Sequence, residues 1–391
     1  MNILLVDLES EWRGGQNQAL LLLKALNARG DCAELVTVKG SALGRRAARR
    51  RLKVHFVMPR GARISAALKI RNLTKRGSFD VVHANEAHAV TAAWLAGVHR
   101  RTAFVISRRV GYPLAKSSLA RARYRAAARI VAISQWVAER LVESGAPKEK
   151  ISVVYEGVEM PANPRLQSPH LARMRWGVAG VSDDAKVARE SPLLGSVGVL
   201  SPDKGHDLLI RALVELRREY SGCRLLLAGD GPSRPMLEAL ARELGVHQAV
   251  IFAGFVTDIE SVYPALDVFL FPSSFEGLGT SLLAAMSYEV PSIAFRCCAF
   301  GEIIENEKSG LLVEPGNMEG MLSAVRRLLQ DRKFARDIGA AGRERIGKIF
   351  SSDHMVEETK RVYREVVRDK LDSCLTKSHA SKKEGRSSES R

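Results

Sequence analysis

Short runs of aliphatic residues recur along the first part of the chain, at Ile3–Val6, Glu34–Val38, Val54–Val57, Asp80–His83, Ala103–Ser107, Ile130–Ile133 and Ile151–Val154. Between them the apolar positions change to helical spacing. This is densest in Gln18–Ala28, where Leu20, Leu21, Leu22, Leu23 and Leu26 describe a helix buried over most of its surface. Apolar strands alternating with helices predict a parallel sheet covered on both faces. The period then breaks over Pro161–Ser191, which contains Pro161, Pro164 and Pro169 and ends at Pro192, the composition of a linker. A second series begins at Leu194. Its expected strands are Gly195–Leu200, Arg224–Ala228, Val250–Phe252, Asp267–Phe271 and Ser292–Phe295, and its expected helices are Asp207–Glu219, Pro235–Leu244, Thr280–Tyr288 and Met318–Gln330. From Lys370 the pattern dissolves into Ser, Lys, Glu, Arg and Gly.

The expected organisation is an α/β chain of two Rossmann-like parallel-sheet domains, 1–165 and 193–353. A linker at 166–192 joins them, and a helix at 354–371 leads into a disordered tail at 372–391. Open parallel sheets bind ligands at the carboxyl ends of their strands, so two such domains facing each other would place a site in the cleft between them. The chain has 391 residues, 46% hydrophobic and 26% charged, which excludes fibrous and wholly disordered classes. Charge-free stretches such as Ala87–His99 fall short of the ~20 residues that cross a bilayer. Met1-Asn2 leads directly into Ile3–Val6 without a basic, signal-like start, so a cytoplasmic protein is expected. Cysteines at 32, 223, 297, 298 and 374 form no CxxC, and a disulfide framework or zinc site is not expected. The adjacent Cys297-Cys298 reads as a redox pair or as two small buried thiols, with the second favoured.

Charge changes the picture once it is located. Residues 1–150 carry 28 Lys and Arg against 10 Asp and Glu, so the whole excess of a +17 chain lies in the first domain. Such a block suits anionic substrates, an anionic membrane face or nucleic acid. Arg45, Arg46, Arg49, Arg50, Arg51 and Lys53 cluster at helical spacing, which favours the membrane face; a solvated surface is the alternative. Nucleic acid is disfavoured, because the arginine clusters lack interleaved aromatics.

Two segments of the second domain have the form of a strand, a Gly-rich loop and a helix start. The weaker is Ala228-Gly229-Asp230-Gly231-Pro232. In the other, Phe271–Ser281, free N–H groups and the helix dipole make an anion site, and Glu276 is placed to grip sugar hydroxyls. Read alone, that segment is equally a capped helix with a surface Glu.

Taken together these motifs resemble the retaining glycosyltransferases of the GT-B fold, family 4 or group 1. The matching segments are Trp12-Arg13-Gly14-Gly15-Gln16, Gly198-Val199-Leu200-Ser201-Pro202-Asp203-Lys204-Gly205, Ala228–Pro232 and Phe275-Glu276-Gly277-Leu278-Gly279. Val153–Val158 and Ser107-Arg108-Arg109-Val110-Gly111-Tyr112-Pro113 add to the likeness, which covers roughly residues 1–350. The resemblance implies a nucleotide-sugar donor, a glycan or lipid-linked acceptor, surface polysaccharide or lipopolysaccharide synthesis, no cofactor and no metal. By position, Gly14 and Gly15 would approach the donor diphosphate, Lys204 would neutralise it, and Gly231 belongs to the same donor loops. Phe255 and Val256 would border the base, and Glu276 would contact the sugar. The backbone of Gly277, Leu278, Gly279, Thr280 and Ser281 would hold phosphate oxygens, and Glu302 keeps the acid of a donor-backing loop. His88 and Arg108 fall where acceptor and leaving-group contacts lie; for His88, a plain first-turn histidine is the equal alternative.

The likeness breaks at four places. Ala284 stands where the family has a second acid eight residues after Glu276, and Val199 where it has the Arg before Lys204. Cys298-Ala299-Phe300-Gly301 replaces Gly-Gly-x-Pro, and Gly111 replaces an Asp. Arg296 and Glu289 are the nearby candidates to substitute. Two such losses would cost about 3–5 kcal/mol of donor binding, so a catalytically silent GT-B binding protein stands as the alternative. No DxD metal motif is present; Asp183-Asp184 falls in the linker.

Overall fold

The computed structural model describes residues 1–75, 79–115, 117–164, 169–178 and 191–387, with backbone alone at 169, 170, 260 and 373–387. Asp183-Asp184 lie outside the described residues. The chain divides into two compact units: Met1–Glu156 together with the segment from Ser352 onward, and Gly157–Ser351.

All seven strands expected in the first unit form within about two residues of their expected bounds. They are β1 (Asn2–Val6), β2 (Cys32–Val38), β3 (Val54–Val57), β4 (Val81–Ala84), β5 (Ala103–Arg108), β6 (Arg129–Ala132) and β7 (Ile151–Val153). They make one parallel sheet in the order β3-β2-β1-β4-β5-β6-β7. β1 and β4 are apolar on both faces because helices cover both; Ile3, Leu4, Leu5, Val81 and Val82 are fully buried. The Gly14–Ala28 helix buries Leu20, Leu22, Leu23 and Leu26 against this sheet, as its leucine spacing requires.

The second unit is a six-stranded parallel sheet in the order β10-β9-β8-β11-β12-β13. Its strands are β8 (Leu193–Val197), β9 (Arg224–Ala228), β10 (Val250–Gly254), β11 (Val268–Phe271), β12 (Ser292–Phe295) and β13 (Leu311–Val313). β8 stops before the expected Leu200 because the chain turns at Gly198. β13 has three residues between Gly310 and Pro315, too few to show a period.

Three boundaries differ from the sequence expectation. The first unit closes at Glu156 rather than residue 165. Within the expected linker, Pro169–Arg175 is a helix belonging to the second unit, where buried Arg173 donates to the Ala265 carbonyl (2.9 Å) and Asp267 (2.5 Å). The final helix is neither separate nor short. It runs over Ser352–Ser387, into the expected disordered tail, and packs on the first unit. Its lysines, glutamates and serines fit a solvated helix as well as a disordered chain, and no proline interrupts it.

That helix returns to the first unit through one polar chain inside the core. Val356, Val362, Tyr363 and Val366 join the leucines of Gly14–Ala28 in one cluster. The Tyr363 hydroxyl meets His83 Nδ1 at 2.6 Å, and His83 Nε2 meets Ser107 Oγ at 2.7 Å. Burial, with the Arg109 charge second, lowers the His83 pKa from 6.5 to about 3, so the ring is neutral. Asp31 ties the same helix to the amino terminus, at 2.8 Å from the Met1 ammonium and 2.9 Å from Lys360. Tyr363→Phe is expected to lower the unfolding free energy by about 1–3 kcal/mol, read by urea titration, because it strands a buried His83 nitrogen. Since the folded pKa is depressed, the contribution of His83 is complete above pH 6.5 and is lost as pH falls from there toward 3.

Candidate functional site

The strand order of the second unit reverses between β8 and β11, and loops from neighbouring strands whose crossovers diverge leave a crevice at their carboxyl ends. The loop after β8 brings Asp203 and Lys204; the loop after β11 brings Ser273, Ser274 and Glu276. They are stitched together at one atom. The Asp203 carbonyl accepts from Ser274 N (2.9 Å), Ser274 Oγ (3.2 Å) and Ser273 Oγ (3.3 Å). Lys204 Nζ then lies 2.5 Å from Glu276 Oε1 and 3.2 Å from Asp203 Oδ2. Burial works against the Lys204 ammonium, but Glu276 and then Asp203 outweigh it and hold its pKa above the usual lysine range. Burial pushes the Glu276 carboxyl up, with the Lys204 charge opposing. The expected diphosphate cation and the expected sugar-binding acid are therefore each other's partners here.

Beside this pair begins the Thr280–Ser287 helix. Gly279, its N-cap, has φ +103°, and a Cβ there would lie 3.0 Å from Phe271 and 3.1 Å from Phe300, so only glycine fits. Leu282 and Leu283 make the first helical bonds, both to the Gly279 carbonyl, so the N–H groups of Thr280 and Ser281 precede the ladder as anion donors. Gly277 and Leu278 are buried on the approach to it. Gly231 serves a different purpose: a Cβ there would lie 2.5 Å from the Leu200 carbonyl oxygen, so its absence lets the loops after β8 and β9 close together. Phe255 is 62% exposed at the end of β10, with Val256 half-buried beside it. Glu302 lies on the short Phe300–Ile303 helix, held through its carbonyl by Arg345 at 2.8 Å.

The departures also have places. Ala284 is half-buried one turn beyond Thr280 on the same helix. Val199 is 50% exposed and presents no cation. The two nearby candidates to substitute lie apart. Arg296 pairs with Glu314 at 2.9 Å. Glu289 lines a cavity of about 360 Å³ with Tyr263, Tyr288 and Arg332, at the amino ends of β11 and β12, opposite the crevice.

In the first unit the order reverses between β1 and β4. After β1, buried Asp7 accepts from Gln16 (3.1 Å) and Asn85 (2.7 Å). Gly14 and Gly15 open the helix that follows, and Asn85 Nδ2 reaches the Gly15 carbonyl at 3.3 Å. Arg108, the last residue of β5, donates within its own loop to the Val110 and Tyr112 carbonyls. Its neighbour Arg109, which the motif alone did not single out, enters the crevice. Arg109 donates to Asn85 Oδ1 (2.6 Å) and Glu156 (2.6 Å), and its Cδ lies 3.2 Å from the point where a Gly15 Cβ would sit. The alternation of strand side chains beyond β5 was the available signal.

His88 is exposed in the first turn of the Ala87–Leu95 helix, and its ring, with Glu9 and Glu86, forms the one potential metal-ligand cluster found among the described residues. Glu86 is already engaged by the N–H groups of Leu8 (3.1 Å), Ala89 (2.6 Å) and His88. Burial, then the Asp7 charge, raises its pKa to about 7.

Two parallel α/β units, each with a strand-order reversal lined by glycine loops, define the GT-B class of glycosyltransferases. Residues 12–160 match the family model Glycosyltransferase Family 4, and residues 182–345 match Glycosyl transferases group 1. The chain belongs to this family. It is 31% identical over 223 residues to an uncharacterized glycosyltransferase of Methanocaldococcus jannaschii, covering 56% of this chain and 55% of the relative. It is 32% identical over 267 residues to a GDP-mannose-dependent α-(1-6)-phosphatidylinositol monomannoside mannosyltransferase of Mycobacterium tuberculosis, covering 64% and 66%. The chain thus spans between about half and two thirds of the length of these relatives. In fold it is similar to the Anabaena protein HepE, solved in complex with UDP and glucose, with TM-score 0.78 at 20% identity over 93% of this chain and 99% of that one.

Ala284→Glu is expected to tighten nucleoside diphosphate binding by about 1–3 kcal/mol, measured by titration calorimetry. Weaker binding would show that another group already fills that place, and unchanged binding that position 284 does not face the nucleotide.

Proposed function

We propose that the chain is a retaining, metal-independent hexosyltransferase, transferring a sugar from a nucleotide-sugar to a glycan or lipid-linked acceptor in surface polysaccharide or lipopolysaccharide synthesis. The Lys204–Glu276 pair beside the Thr280–Ser287 helix terminus carries this reading: it puts a cation, an acid and free N–H donors within one crevice. Lys204 and the N–H groups of Thr280 and Ser281 would receive the diphosphate, and Glu276, released from Lys204, would hold sugar hydroxyls. The bond from the sugar's anomeric carbon to the diphosphate breaks as the bond to the acceptor oxygen forms, and the acceptor proton passes to the departing phosphate. The mannosyltransferase relative, named for phosphatidylinositol monomannoside, supports a lipid-linked acceptor here.

Incubation with UDP-, GDP- and ADP-sugars, with and without EDTA, is expected to give hydrolysis or transfer with one of them that survives the chelator. Glu276→Gln should abolish turnover, and Lys204→Ala should weaken nucleotide affinity. Loss of activity in EDTA would overturn metal independence and point to Glu9, Glu86 and His88. Nucleotide binding without turnover in every case would favour the silent reading, which the bare Val199 and Ala284 positions support.

The acceptor would be reached from a membrane face. The basic Ala42–Arg49 helix precedes edge strand β3, and the Ala62–Lys75 helix follows it, exposing Ile64 and Leu68 one turn apart beside Arg60 and Arg63. Met58 is exposed between them. Not all the charge is free, since Arg46 stacks on Trp12 at 3.9 Å and Lys53 pairs with Glu34 at 2.7 Å. No helix among the described residues is long and apolar enough to cross a membrane, so attachment would be peripheral. Each remaining cation would add about 1 kcal/mol at an anionic surface. Sedimentation with anionic but not neutral vesicles, weakened by salt and by Ile64→Ser with Leu68→Ser, is the expected outcome. Failure to sediment with anionic vesicles at low salt would overturn it.

A further inference from the structure

We propose that Cys297 and Cys298 are an oxidisable dithiol beside the donor crevice, which a hydroperoxide closes to a vicinal disulfide with loss of nucleotide affinity. The coupling to nucleotide rests on the proposed function; the dithiol itself does not.

Adjacent side chains on extended backbone point to opposite sides. Here Cys298 takes a left-handed conformation, φ +51°, and both thiols reach the Ser273–Ser274 segment. Cys297 Sγ donates to the Ser273 carbonyl at 3.4 Å and Cys298 Sγ to the Ser274 carbonyl at 3.5 Å, so the two sulfurs hang from consecutive peptide groups of one segment. Holding a non-glycine residue left-handed costs on the order of 1 kcal/mol, and this places it where the family resemblance has glycine.

The two thiols differ in character. The neighbouring Cys297 side chain lowers the Cys298 thiol below the ordinary range against the effect of burial, with the Glu276 backbone N–H and the Lys204 charge assisting and the Glu276 charge opposing. The Cys297 thiol is pushed up by its Cys298 neighbour and by burial. Both are half-buried and within reach of a small oxidant. Cys223 is the contrast: fully buried, with burial raising its pKa to about 12, it is inert.

The chemistry closes without a further reagent. The Cys298 thiolate attacks the peroxide, which is reduced to hydroxide as the sulfur becomes a sulfenic acid. The Cys297 sulfur then displaces that hydroxyl as water, forming the S–S bond. A disulfide between neighbouring residues closes a small, strained ring, which makes it readily reducible.

Closure consumes both S–H donors, so the Ser273 and Ser274 carbonyls lose their thiol bonds together. Those two serines are the ones that grip the Asp203 carbonyl, next to Lys204, and Glu276 lies two residues beyond Ser274. Oxidation therefore acts on both ends of the Lys204–Glu276 pair.

The test treats the full chain with hydrogen peroxide and measures non-reduced peptide mass alongside nucleoside diphosphate affinity. The peptide carrying Cys297 and Cys298 is expected to lose two hydrogens, and affinity to fall about tenfold; dithiothreitol should restore both. Cys297→Ser and Cys298→Ser, checked for folding by circular dichroism, should each keep their own affinity through the treatment. An unchanged mass, or added oxygen in place of hydrogen loss, overturns the dithiol. Hydrogen loss with unaltered affinity overturns the coupling. If the untreated protein binds no nucleotide, the functional reading falls together with the coupling, while the mass still decides the dithiol.

Discussion

A parallel sheet opens a crevice only where successive crossovers run in opposite directions, and in each unit this constraint selects the loops that meet. In the second unit it makes β8 and β11 neighbours, so Lys204 and Glu276, 72 residues apart in sequence, come within 2.5 Å. In the first it pairs β1 with β4, and Asp7, Gly15 and Asn85 become one hydrogen-bonded group. Other loops can change length freely; these cannot move without taking apart a charge cluster.

The Lys204–Glu276 pair shows how a binding crevice is kept in shape without ligand. Leaving either charge alone in a largely buried place would be costly, so each stabilises the other. A diphosphate and a sugar would offer the same two partners, an anion for the lysine and hydroxyl donors for the carboxylate. The exchange then replaces interactions rather than adding them, which limits its net cost. The three bonds converging on the Asp203 carbonyl keep both loops at that spacing.

The first unit depends equally on a segment from the far end of the chain. Tyr363 completes a buried polar chain through His83 to Ser107, and Arg109, which carries the third polar link around the crevice, lies beyond the same strand, β5. The final helix is thus part of the fold of that unit, although nearly two hundred residues of the other unit intervene.

Strand positions were legible because burial on both faces leaves continuous aliphatic runs, and the same runs gave two parallel α/β units. The glycine loops and the charges around Lys204 and Glu276 were legible as motifs, since their chemistry is local. Which of Arg108 and Arg109 turns inward was not, because both suit the motif and only the direction of the chain beyond β5 separates them. The three-residue β13 and the extension of the final helix beyond residue 371 were missed for related reasons: one is too short to show a period, and the composition of the other fits helix and coil alike. Sequence likewise presented Lys204 and Glu276 as separate ligands for a donor, and Cys297 and Cys298 as a redox pair or, more readily, two buried thiols. The Lys204–Glu276 contact and the shared Ser273–Ser274 partners of the two thiols arise from the packing of loops after different strands and from one left-handed residue, quantities that exist only once the chain is folded.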